Sequence, residues 1–255
     1  YRIFGKKTSL LRHFLYVIMV GTEHFQKEQK KMLDCVVFDM DGTLLDTERI
    51  SVIAWQTAGR EMGIEIPKDF ITGYFGMNRA AIDELYRQTY GPDFPIDALR
   101  ARRVQLGEEF FQREPVHPKP GARELLIYLA DRGIPALLAT GTEYVKARQE
   151  LEETGLWEYL RGSICGSMVT RCKPDPEIYQ RAMALTGAIP GRTLVVEDSQ
   201  NGIKAGIAAG CKTVLIPDTW TPTGDFDGKL YACLDTLLEL IPIVDKLDRK
   251  EEETK

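Results

Sequence analysis

The chain has 255 residues, 44% of them hydrophobic and 28% charged, so it can bury a real core without disulfide or metal staples. A formal net charge of −5 speaks against a nucleic-acid binder, which would show a basic face, and against an anionic membrane partner. The five cysteines, Cys35, Cys165, Cys172, Cys211 and Cys233, form no C-x-x-C pair, and their odd number fits reduced thiols in a cytoplasmic protein better than a disulfide framework.

In chain order, residues 1–31 show no strand or helix period. Leu10–Val20 is apolar, but it is short and is interrupted by Arg12 and His13, so it does not reach across a bilayer core of about 30 Å. Met32 is expected as the natural start, which makes 1–31 a non-native or disordered extension. From Cys35 the pattern becomes regular. Cys35–Phe38 reads as a buried parallel strand ending in Asp39-Met40-Asp41-Gly42. Between this strand and the next lie about seventy residues without a convincing strand, too long for a loop in a compact domain. They carry helical stretches near 50–62, 79–90 and 96–113, punctuated by prolines and glycines. Residues 48–117 are therefore expected to form an inserted helical cap, crossed into at Asp46–Thr47 and out of at Val116–Lys119.

A helix is expected from Pro120 to Asp131, then an apolar strand over 134–139 that ends at Thr140-Gly141-Thr142. Further helices are expected over 144–153, 176–185 and 201–209, and further strands over 162–166, 193–196 and 213–216. Strands alternating with helices mean βαβ units, so the fold class is α/β, a doubly wound parallel sheet made of residues 32–47 and 118–245. Residues 246–255 read as a charged tail.

Ligands of such sheets bind at the carboxyl ends of the strands. The groups there are Asp39, Asp41, Thr140, Glu197 and Asp198, with Lys173 in Arg-Cys-Lys-Pro-Asp-Pro between the third and fourth strands. Four carboxylates in one cleft repel each other, and a hard divalent cation such as Mg²⁺ is the natural compensation. Each residue alone has an ordinary explanation as a turn, a helix cap or a surface lysine. Together, on successive strand ends, they describe a site that holds a phosphate dianion beside a nucleophilic carboxylate.

The stretch Asp39-Met40-Asp41-Gly42-Thr43-Leu44 resembles the first motif of the haloacid dehalogenase superfamily. Thr140, Lys173 before a Pro-x-Pro helix start, and the Glu197-Asp198 pair resemble its later motifs, over about residues 32–242. Ser199-Gln200-Asn201-Gly202-Ile203-Lys204-Ala205-Gly206 resembles the subgroup with a helical cap, which includes phosphoglycolate phosphatase, sugar-phosphate phosphatases and β-phosphoglucomutase.

The resemblance implies a Rossmann-like core and a set of roles. Asp39 would be the nucleophile that forms an aspartyl-phosphate, and Asp41 the general acid and then base. Thr140, Gly141 and Lys173 would hold the phosphoryl oxygens. Mg²⁺ would be held by Asp39, the Asp41 carbonyl, Asp198 and Glu197, the last directly or through water. In the cap, Asn78 and Arg79 would face the substrate.

The implied activity is hydrolysis of a small phosphomonoester, and the rival is a phosphosugar mutase. Mutases of this group carry a histidine where this chain has Ser51, valine where it has Thr43, and a serine-and-lysine arrangement where it has Gly141-Thr142-Glu143. Dehalogenases lack the second aspartate, which is present as Asp41. A Schiff-base phosphonate hydrolase needs a cap lysine, and Lys68 beside Pro67 is the only one. A non-catalytic binding module would have lost one of Asp39, Asp41 or Asp198. Phosphoglycolate, hexose phosphates, sugar-alcohol phosphates and nucleoside monophosphates all remain open as substrates, and the oligomeric state is not legible.

Overall fold

The computed structural model describes residues 33–220, 222, 226 and 228–248, so the expectations for 1–31 and for 249–255 lie outside the described residues. Nothing among the described residues is a helix long and apolar enough to cross a membrane. All five cysteines are free thiols.

Strand β1 (Cys35–Phe38) is followed by helices α1 (Glu48–Glu61), α2 (Lys68–Gly73), α3 (Arg79–Tyr90), α4 (Ile96–Phe111) and α5 (Ala122–Asp131). Then come β2 (Ala136–Ala139), α6 (Tyr144–Glu153), β3 (Leu160–Ile164), α7 (Glu177–Ala184), β4 (Thr193–Glu197), α8 (Gln200–Ala208), β5 (Lys212–Leu215), β6 (Ala232–Cys233) and α9 (Leu240–Asp248). The six strands pair in the order β3-β2-β1-β4-β5-β6. Every pairing is parallel.

Strand β1 is central, with β2 and β4 beside it. The reason is visible in burial. Every residue of β1, β2 and β4 is buried, as a strand covered by helices on both faces requires. One apolar cluster lies on the side of α5, α6 and α9, where Phe38, Leu125 and Val244 meet. The other lies on the side of α7 and α8, built around Val37, Leu137 and Tyr179.

Three differences from the sequence reading have simple causes. Helix α2 is only six residues long and follows Pro67, too brief for its period to show. Strand β6 has two residues, neither of them buried. Helix α9 runs through Lys246 to Asp248, residues assigned above to the charged tail. Its apolar face, with Leu240 and Val244 buried, carries the helix past the point where charge begins to dominate.

Helices α1 to α4 have an apolar cluster of their own, centred on Trp55, Tyr74, Tyr86 and Leu99. The two chain crossings that join this segment to the sheet lie side by side. The Asp46 N–H donates to the His117 carbonyl at 3.0 Å, and the Lys119 N–H donates to the Leu44 carbonyl at 2.8 Å. Leu45 and Pro118 form an antiparallel bridge between them.

Candidate active site

Because β1, β2 and β4 are adjacent and parallel, their carboxyl ends meet at one edge of the sheet. Asp39 follows β1, and its N–H donates to the Val196 carbonyl of β4 at 3.0 Å. Its Oδ1 accepts a hydrogen bond from Lys173 Nζ at 2.5 Å. Lys173 is fully buried, and its ammonium also donates to Glu197 Oε1 at 2.6 Å and to the Ala139 carbonyl at the tip of β2 at 2.9 Å. Three acceptors from three strand ends therefore use its three hydrogens. Burial alone would push this lysine down, but the Asp39 and Glu197 carboxylates outweigh it and hold the ammonium above its ordinary value.

Glu197 is completely buried and is held from all sides. Besides Lys173, its Oε1 accepts the Tyr179 hydroxyl at 2.5 Å. Its Oε2 accepts the N–H groups of Asp198 and Ser199, both at 3.1 Å, and the Ser199 hydroxyl at 3.0 Å. A carboxylate has about four lone-pair sites, and these donors occupy them. Both oxygens of the Glu197 side chain are therefore engaged within the protein. Its place is as an anchor that sets Lys173 and the turn carrying Asp198. Gly202 of α8 makes room for it, since a Cβ there would lie 1.8 Å from Glu197 Oε1.

Asp198 is also buried. Its Oδ1 accepts the Thr43 hydroxyl at 2.9 Å, and its Oδ2 has no partner. That oxygen sits where a Cβ on Gly42 would be, 2.2 Å away, and Gly42 itself has φ +78°, so no other residue fits at this turn. Burial, with Glu197 and Asp39 nearby, pushes the Asp198 carboxyl well above the usual carboxylate range. Burial likewise pushes Asp39 up to about 8, against the pull of Lys173.

Oxygens of Asp39, Glu197 and Asp198 lie within 4.8 Å of one another, with one ammonium among them. An all-oxygen donor set, an unpartnered buried carboxylate oxygen and under-compensated negative charge are what a hard divalent cation fits. Glu48 and Asp218 form a second such group with Asp198, within the same 4.8 Å limit. Burial, and next Asp198, push Glu48 well above its ordinary value.

Asp41 is held differently, between two hydroxyls. Thr47 donates to its Oδ1 at 2.7 Å and Thr142 to its Oδ2 at 2.6 Å. The buried Thr140 accepts the Thr142 N–H at 3.0 Å, so one threonine sets the other. Asp39, Asp41, Thr140 and Gly141 line the floor of a cavity of about 770 Å³. Its other wall comes from the helical segment, with Trp55, Met77, Arg79 and Arg103.

The two residues expected to meet substrate from that segment fare unequally. Arg79 lines the cavity, but it is an exposed rim residue paired with Asp83 at 3.7 Å and Asp97 at 3.2 Å. Asn78 does not line it. Its side-chain oxygen accepts the Ala81 N–H at 3.0 Å and caps α3, satisfying one of the unpaired N–H groups at a helix start.

Sequence reasoning missed Thr43, Thr142, Tyr179, Glu48 and Asp218 as parts of the site. A signal existed for two of them, since Thr142 and Asp218 stand just beyond the ends of β2 and β5. None existed for Tyr179, whose hydroxyl reaches Glu197 from the first turn of α7.

A sequence model of the haloacid dehalogenase-like hydrolases matches residues 33–210. The chain belongs to the haloacid dehalogenase-like hydrolase family. It is 31% identical over 200 residues to a probable pseudouridine-5'-phosphatase of Drosophila melanogaster, a match covering 75% of this chain and 84% of the relative. It is 30% identical over 183 residues to hexitol phosphatase A of Escherichia coli, covering 71% and 81%. A solved hydrolase from Pseudomonas syringae superposes with a TM-score of 0.73 at 23% identity, covering 85% of this chain and 100% of that one, which shows the fold. As a haloacid dehalogenase-like hydrolase with phosphatases among its relatives, the chain is an enzyme of the phosphatase type.

Proposed function

We propose that this hydrolase removes phosphate from a small phosphorylated metabolite, a sugar phosphate or a phosphoglycolate-type monoester, with Mg²⁺ and through a phosphorylated Asp39. The observation that carries the reading is the pairing at the cavity floor of a lysine-clamped Asp39 with an Asp41 held by two threonines. Lys173 engages Oδ1 of Asp39, so Oδ2 is the oxygen available to phosphorus. Attack forms the Asp39–phosphorus bond as the ester bond breaks, and Asp41 gives its proton to the departing alcohol oxygen. Asp41 then takes a proton from water, whose oxygen displaces Asp39 and frees inorganic phosphate. Thr140 and Gly141 receive the phosphoryl oxygens, Lys173 joins them by exchanging one of its three present acceptors for a phosphoryl oxygen, and its charge offsets the negative charge carried between the two steps. The residues that would hold Mg²⁺ are Asp39, the Asp41 carbonyl, Asp198 and Glu197, the last directly or through water. The cation supplies charge neutralisation on the transferring group.

Residues 48–117 act in this reading as the cap, which selects substrate and excludes water when closed. Ser51 lines the cavity where the mutase pattern would place a histidine, which favours release of the phosphoryl group to water over its return to a sugar. The free thiols fit a reducing, cytoplasmic setting. The test is phosphate release from a panel of phosphorylated metabolites, with and without Mg²⁺, beside Asp39→Asn. Turnover that needs Mg²⁺ and vanishes in the variant supports the proposal. Conversion of β-glucose 1-phosphate to glucose 6-phosphate without net release would overturn it in favour of a mutase.

A further inference from the structure

The helical segment sends three arginines toward the cavity, and two of them are already neutralised. Arg79 pairs with Asp83 and Asp97, and Arg100 pairs with Asp83. Arg103, on the same face of α4, enters no ion pair among the described residues. One of its terminal nitrogens donates to the Ser51 hydroxyl at 2.7 Å, and its guanidinium carbon lies 5.7 Å from the centre of the Trp55 ring. Its Nε is buried and has no partner. A half-buried guanidinium that keeps its charge without a carboxylate is costly to fold, and desolvation pushes it below its ordinary value. The carboxylates it feels are those of Asp41 and Glu150, both on the sheet side of the cavity.

Its distance from the reacting end can be followed through the chain. Asp41 is held by Thr47, and Ser51 lies four residues on, one helical turn of about 5.4 Å along α1. Arg103 stands beyond Ser51. A molecule with its phosphoryl group at Asp39 therefore reaches Arg103 with its opposite end. Glu150 lines the same cavity and is buried with Oε2 unpartnered, although Lys146 occupies its Oε1. That leaves an acceptor for a hydroxyl hydrogen of the substrate.

Building on the phosphatase reading, we propose that Arg103 is the specificity-determining residue of a distal subsite, one that takes substrates carrying a second anion opposite the scissile phosphate. The anion is a carboxylate or a second phosphate, either of which a guanidinium binds through paired hydrogen bonds. Ser51 and Trp55 hold the guanidinium ready for it, so that little side-chain freedom is lost on binding.

The experiment compares three substrates of matched length, glucitol 6-phosphate, 6-phosphogluconate and fructose 1,6-bisphosphate, on the wild type, Arg103→Met and Arg103→Lys. Methionine keeps an apolar stem against Trp55 and removes the charge. The wild type should favour one or both anion-ended substrates in kcat/KM by about tenfold or more, the scale of a charge-assisted contact. Arg103→Met should collapse that ratio through KM, and Arg103→Lys should restore part of it. Which substrate leads tells carboxylate from phosphate. A wild type that prefers the neutral-ended substrate, or a methionine variant that slows all three alike, overturns the subsite while leaving the phosphatase reading standing. If no substrate releases phosphate, calorimetric binding to Asp39→Asn decides. Preference for the anion-ended compounds that is lost in the Asp39→Asn, Arg103→Met double variant supports the subsite, and equal binding of all three overturns it.

Discussion

The sheet edge and the helical segment face each other across one cavity and solve opposite problems. At the sheet edge, charge is buried and nearly every polar atom is assigned: Lys173 spends three hydrogens on three acceptors, and Glu197 is fully engaged. In the helical segment the interior is aromatic. Trp55 stacks on Tyr86 at 5.4 Å, and Tyr86 stacks on Tyr90 at 5.9 Å and on Phe94 at 5.5 Å. The two regions should therefore respond differently to substitution. A network of buried charge fails when one member is removed, because the remainder is left uncompensated. An aromatic cluster loses packing energy, and its effects on chemistry are indirect.

The sharpest separation comes from Asp39→Asn, which keeps the side chain's shape and leaves Glu197 as the buried counter-charge of Lys173, and which should lower phosphate release by about a thousandfold or more. Removal of the divalent cation with a chelator should abolish release to a similar extent and lower the melting temperature, both restored by Mg²⁺. Retention of full activity in chelator would remove the argument from the unpartnered Asp198 oxygen. Lys173→Met should cost about 3–5 kcal/mol in urea unfolding, since Asp39 and Glu197 would be left buried without their cation. A variant as stable as the wild type would mean that the edge tolerates unpaired charge and that the contrast with the helices is wrong.

Gly202→Ala presses a methyl group onto Glu197 and should cost about 1–3 kcal/mol, with loss of activity in proportion. The smallest effect concerns the seam between the regions. Asn201, on α8, donates to the Gly73 carbonyl at 3.0 Å and the Phe75 carbonyl at 2.9 Å. Asn201→Ala should cost about 1 kcal/mol in stability and raise KM more than it lowers kcat, because it loosens a loop that walls the cavity. Stopped-flow kinetics that show kcat alone affected would assign Asn201 to the chemistry instead.

Much of this was legible in the chain because parallel strands expose their carboxyl ends on one side. Asp39, Thr140 and Asp198 follow apolar runs that admit one reading, and the strand order places them together. The helical segment was legible only in outline. Three of its helices follow from period and punctuation, but α2 is too short to show one. The cap residues were harder still. Asn78 and Arg79 were favoured for their place in a loop, yet one caps a helix and the other is paired at the rim, while Arg103 looked like any arginine on a charged helix.

By itself, the sequence determined the α/β class, the inserted helical segment and the acidic strand ends that place the chain among the haloacid dehalogenase-like hydrolases, because these depend on local pattern and on motif order. Only the tertiary structure decided which charges are spent and which remain. Whether Glu197 has an oxygen to spare, whether Asp198 does, and whether Arg103 has a partner are matters of neighbours up to a hundred and more residues away in the chain. Periodicity carries no record of such neighbours. Hydrogen-bond saturation belongs to the packed site.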